Sequence, residues 1–93
     1  MKAIYKETVI AESQQAQQLG NQYFFPPDSI ESKYFQLSET RRHAPGKGKA
    51  SYFHIQVGPE KKRDAAWFYP HPEGDLASLR NYVTFGADIE IQN

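Results

Sequence analysis

The residues best suited to chemistry lie between positions 41 and 69. Gly46, Lys47 and Gly48 make a glycine-lysine loop, with Arg41, Arg42 and His43 before it and Lys49 after it. Glycine-rich backbone can turn its N–H groups toward an anion, and Lys47 adds a charge. Arginine forks grip carboxylate or phosphate through paired bonds. The plain alternative is a turn with solvated lysines and a basic face paired to Glu31 or Glu39. The loop is not an ATPase-type phosphate loop. That motif requires glycine where this chain has His43 and a hydroxyl residue where it has Ala50, and it opens a helix. Here the loop leads into a strand.

The three histidines, His43, His54 and His71, lack the close spacing of a helical metal pair, and no cysteine is present. No metal and no cofactor are therefore expected. His43, among glycines and arginines, is the best general acid or base. Asp64 is the other catalytic candidate. Two-metal chemistry needs grouped carboxylates, and Asp64 has no acidic neighbour in Asp-x-Asp spacing. The ordinary role of such an aspartate is to cap a turn. Lys61, Lys62 and Arg63 read as charges in a hairpin turn.

Tyr52, Trp67 and Tyr69 flank the basic loop in strand-like segments. Stacked rings hold planar ligands with about 1–3 kcal/mol each. The same rings serve as cross-strand pairs worth about 0.2–1 kcal/mol. Arg41, His43, Lys47, Gly48, Tyr52, Trp67 and Tyr69 together make the ligand-binding set to look for.

These residues need elements to hold them. The clearest is Lys49–Val57, where Ser51, Phe53, Ile55 and Val57 alternate with Tyr52, His54 and Gln56. Ala65–Tyr69 is its expected antiparallel partner, across a polar turn at 58–63. Before the basic loop, 38–48 reads as a long irregular connection, and Lys33–Leu37 as a strand. Met1–Ala11 reads as two strands around Lys6-Glu7, with Ile4, Val9 and Ala11 facing inward. Gln22–Phe25 reads as extended after the Gly20-Asn21 turn. Asp75 fits the N-cap of a short helix near 75–82, with Leu76, Leu79 and Val83 at helical spacing. Ile89 and Ile91 close the chain on a last strand. The expected class is mainly β: a compact antiparallel curled sheet or small open barrel with that one short helix.

Ninety-three residues suit one β-rich domain spanning 1–93. Six Phe, six Tyr and one Trp must supply much of a thin core. Eleven basic and eleven acidic side chains cancel, and duplex-DNA binders usually carry a basic surplus, so no duplex nucleic acid is expected. No apolar run approaches a membrane span or a signal peptide, so no membrane partner and a cytoplasmic location are expected.

Several segments, taken in order, resemble one bacterial family. They are KAIYKETVIAES, GNQYFFPPDSI, PGKGKASYF, DAAWFYP and YVTFGADIEI. The family is catalogued as domain of unknown function 427 and labelled nucleotidyltransferase-like. The resemblance implies a small β-rich fold with a short late helix. Where the family usually shows Cys-Pro-Trp-Lys-Gly, this chain has Ala44-Pro45-Gly46-Lys47-Gly48. A role resting on that thiol or indole has no residue here to carry it.

Three functions compete on these grounds. The leading one is binding of a small anionic or planar ligand near the 43–48 loop. The second is an enzyme with the nucleotidyltransferase-like chemistry that the resemblance implies, using His43 or Asp64. The third is a protein-interaction module using a sheet edge.

Overall fold

A computed structural model describes all residues, 1–93. The chain begins with a hairpin of β1 (Lys2–Tyr5) and β2 (Thr8–Glu12). Lys6 and Glu7 sit at φ 48° and 63° between the partners Tyr5 and Thr8. Positive φ at both central residues fits the type I′ turn, whose twist matches a hairpin, even without the usual Asn-Gly. The inward face differs from the expectation. Ala3, Tyr5, Ile10 and Ala11 are buried, whereas Val9 is exposed and Ile4 only half-buried. The cause is a bulge, since Ala3 pairs Ala11 but Ile4 pairs Val9, leaving Ile10 extra. One extra residue shifts the alternation and sends two neighbours, Ile10 and Ala11, into the core.

β3 (Gln17–Leu19) and β4 (Gln22–Phe24) form a second hairpin, with Gly20 at φ 63° in its two-residue turn. Single-turn 3₁₀ segments follow at Pro27–Ser29 and Ser32–Tyr34. The long strands come next: β5 (Phe35–Ala44), β6 (Gly48–Val57) and β7 (Glu60–Phe68). β8 (Val83–Phe85) completes an antiparallel sheet in the order β5-β6-β7-β8. β9 (Glu90–Gln92) joins the first hairpin in the order β2-β1-β9. The β3–β4 hairpin is tied on by reciprocal Phe25–Val83 backbone bonds of 2.8 Å. The class is mainly β and antiparallel, as expected, in open sheets with no closed barrel.

The expected pairing of Lys49–Val57 with Ala65–Tyr69 holds where Tyr52 faces Trp67 and Phe53 faces Ala66. Three boundaries differ. The supposed irregular connection at 38–48 is mostly β5, which starts at Phe35 rather than Lys33 and runs to Ala44. Its charged sequence suits an edge strand, which alternation does not mark. The supposed turn at 58–63 is only Gly58-Pro59, because Val57 already pairs Glu60. Lys61, Lys62 and Arg63 therefore lie on β7. Finally, the expected helix near 75–82 is a 3₁₀ turn at Gly74–Leu76. Asp75 does not cap it. The chain continues through i→i+3 bonds, Leu79 to Leu76 and Tyr82 to Leu79. Gly74 at φ 58° and Asn81 at φ 64° break α geometry at both ends. The short stretch left between them cannot nucleate an α-helix alone. Leu76 and Leu79 are buried all the same, because the three-residue repeat stacks them on one side.

Two apolar clusters result. The larger lies between the sheets and holds Ala3, Tyr5, Ile10, Phe25, Ile55, Ala66, Val83 and Phe85. Rings lock it, with Phe25 edge-on to Phe85 at 5.5 Å and Phe53 stacked on Phe68 at 5.0 Å. The smaller holds Phe24, Ala50, Tyr69, Leu76 and Leu79, with Tyr52 and Trp67 against it. The radius of gyration, 12.3 Å, equals that of a folded globular chain of this length, about 12 Å. No helix is long and apolar enough to cross a membrane.

Candidate functional site

The basic loop is a tight hairpin turn. Ala44 pairs Gly48, and the Lys47 N–H donates to the Ala44 carbonyl at 2.9 Å. A second segment clamps it from behind. The Glu73 N–H donates to the Lys47 carbonyl at 2.9 Å. A Cβ on Gly48, which has φ 108°, would stand 2.8 Å from the His71 carbonyl oxygen. One on Gly74 would stand 2.7 Å from the Gly46 oxygen. Only glycine allows these backbones to approach so closely. The turn is thus held in place rather than free to flex.

That clamp shapes a groove of about 500 Å³. One wall is the Leu19–Gln22 turn, the other is Pro45, Gly46 and Lys47, and Asp75 stands on the adjoining segment. Phe24 and Leu76, both buried, form its floor. The groove joins apolar surface to a few polar groups, the composition of small-molecule sites. Lys47 and Asp75 are exposed and make neither a hydrogen bond nor an ion pair through their side chains.

The rest of the expected ligand set lies elsewhere. Gly48 is buried beneath the turn. Tyr52 and Trp67 are cross-strand neighbours, their ring centres 5.5 Å apart, but they back the second cluster and do not line the groove. Tyr69 is buried in that cluster, and burial pushes its phenol above the ordinary value of 10.0. Arg41 donates to the carbonyls of Ser38, at 2.7 Å, and Thr40, at 3.0 Å, on its own strand. Arg42 lies 5.8 Å over the Tyr52 ring. His43 is exposed on β5 opposite Lys49. The structure therefore brings Lys47 to the groove and leaves Arg41, His43, Tyr52, Trp67 and Tyr69 outside its lining. Sequence reading missed Leu19, Asn21, Gln22, Phe24, Asp75 and Leu76. Gly20-Asn21 marked a turn, but no local signal says that two turns distant in sequence meet.

Asp64 sits in a different constellation. Two bulges flank the middle of β6. On β5, Leu37 pairs Phe53 and Arg41 pairs Ser51, so Ser38, Glu39 and Thr40 crowd opposite Tyr52. On β7, Arg63, Asp64 and Ala65 crowd opposite His54. Asp64 takes φ 52°, which a short polar side chain tolerates. The Thr40 hydroxyl donates to its Oδ2 at 2.8 Å. Its backbone N–H donates to His54 Nδ1 at 3.0 Å, which leaves the neutral imidazole proton on Nε2. Oδ1 is buried without a hydrogen-bond partner, 3.5 Å from His54 Nδ1. The Ser38 hydroxyl beside Asp64 does most to hold its carboxyl below the usual 3.8. Burial opposes that, while Thr40, His54 and Arg42 reinforce it. This network fastens one bulge to the other across the central strand. His43 does not belong to it, and no three His, Asp or Glu side chains gather closely enough to share a metal ion.

A family model matches residues 1–92, nearly the whole chain. The chain belongs to the family described as domain of unknown function, DUF427. That description assigns the DUF427 family no activity. No curated protein matches the chain.

Proposed function

We propose that this DUF427 domain binds a small molecule in the groove between the Leu19–Gln22 and Pro45–Lys47 turns, with an anionic group of the ligand at Lys47. The observation that carries this reading is the clamp behind the basic turn. Close backbone contacts at Gly48 and Gly74 hold one wall of a part-apolar groove with a free lysine on its rim. A wall already in place costs a ligand little ordering entropy. The planar part of the ligand would meet Leu19 and Phe24 rather than Tyr52 and Trp67.

The enzyme alternative has less support. His43 and Asp64 lie in separate surroundings, and Asp64 is engaged by Thr40. The sheet-edge alternative has less as well. β5 is an open edge, but it is bulged, and Arg41 occupies two of its carbonyls, as protected edges do.

Thermal shift against nucleotides, phosphosugars and carboxylates tests the proposal, using the native protein and Lys47→Ala. Lys47 is exposed and unpaired, so its loss should leave the melting temperature of the free protein unchanged. A charged contact is worth about 1–3 kcal/mol, so affinity should fall by about tenfold or more. Binding that persists unchanged in Lys47→Ala, or no binding by the native protein, contradicts the proposal.

A further inference from the structure

The groove has no net charge of its own. Of its lining residues, Lys47 carries one positive charge and Asp75 one negative charge, and the others are neutral. The two charged residues stand on neighbouring segments. Glu73 bonds Lys47 through the backbone, and Gly74 abuts Gly46. They are nevertheless not paired with each other. The one lysine or arginine ion pair of this protein is Lys62–Asp88. A simple anion drawn to Lys47 would meet the repulsion of Asp75, and a simple cation drawn to Asp75 would meet that of Lys47. A molecule carrying both charges close together satisfies both.

The remaining lining fits the same chemistry. Leu19 is one of few large apolar side chains left exposed, and it stands beside buried Phe24 and Leu76. An apolar side chain on the ligand would cover it.

We infer that the ligand is a zwitterion of the α-amino-acid kind with an apolar side chain. Its carboxylate meets Lys47, its ammonium meets Asp75, and its side chain lies on Leu19, Phe24 and Leu76. This inference rests on the binding site proposed above and adds the ligand's class.

Isothermal titration with two matched sets of probes tests it. One set is leucine, 4-methylpentanoate and 3-methylbutylamine; the other is phenylalanine, 3-phenylpropanoate and 2-phenylethylamine. Within each set the apolar group is constant and one charge at a time is removed. The zwitterion of at least one set should bind at least tenfold more tightly than either of its analogues. Asp75→Asn should abolish that advantage over the carboxylate analogue while leaving the carboxylate's own affinity no weaker. Asp75 is exposed and makes no side-chain hydrogen bond or ion pair, so the variant should fold normally. If the carboxylates match the zwitterions, or Asp75→Asn changes nothing, the zwitterion inference fails while the groove remains a binding site. If no probe binds but an anion from the broader panel does so through Lys47, this inference fails alone. If nothing in either panel binds, both readings fail.

Discussion

Single residues hold this structure by what they exclude as much as by what they contact. Gly48 and Gly58 both have positive φ, but only Gly48 has a carbonyl where its Cβ would be. Gly58→Ala should therefore carry only the backbone cost, about 1–2 kcal/mol. Gly48→Ala should exceed it by about 1–3 kcal/mol, since the His71 backbone must also move. Denaturant unfolding of the two variants compares them, and equal losses would mean that the clamp is not tight. Asp64 makes a different prediction. Its carboxyl is held below 3.8 in the folded protein, whereas the unfolded chain titrates near that value. Its contribution to stability is therefore fully present above about pH 4 and lost as pH falls through the lower folded-state value. Asp64→Asn should flatten the acid side of the stability profile between pH 2 and about pH 5. Denaturation midpoints across that range measure it, and an unchanged acid slope would show that the Ser38 and Thr40 hydroxyls carry no linked stability.

At the scale of elements, the segment from Glu73 to Tyr82 matters most, because it clamps the basic turn and floors the groove. Leu76 is 2% exposed in a cluster of five buried residues. Leu76→Ala should cost about 2–5 kcal/mol and weaken binding through the lost floor. Asp75→Asn next to it should leave stability unchanged. Calorimetric melting separates the two, and similar losses from both would contradict the assigned roles. The same segment shows where local sequence reading stops. Leu76 and Leu79 were legible as a buried face, because an apolar repeat of about three residues marks burial in either kind of helix, whereas Val83 is buried in the other cluster as the first residue of β8. The kind itself depended on Gly74 and Asn81 at positive φ, which their residue types permit but do not require. β5 was hidden for another reason. SETRRH does not alternate, and its strand exists because β6 offers a partner and the bulge at Ser38–Thr40 absorbs the mismatch. β6 and its pairing with β7 were legible because alternation there serves burial on both faces.

The whole molecule combines four hairpins, and the groove exists only where two of their turns meet the late 3₁₀ segment. Lys47 was visible as a candidate because charge and glycine sit together in sequence. Leu19, Asn21 and Gln22 were not, since they reach the site through the Phe25–Val83 bonds that dock their hairpin on β8. Composition already suggested a thin core rich in rings, and the two clusters fit that. The central claim is that ligand binding belongs to this meeting point rather than to the bulge network at Asp64. The most direct measurement is a ¹H–¹⁵N correlation spectrum of the labelled protein, titrated with whichever panel compound gives the largest thermal shift. Perturbations should concentrate on Leu19, Gly20, Asn21, Gln22, Gly46, Lys47, Asp75 and Leu76. Perturbations centred on Thr40, His54 and Asp64 instead, with the two turns unmoved, would contradict it.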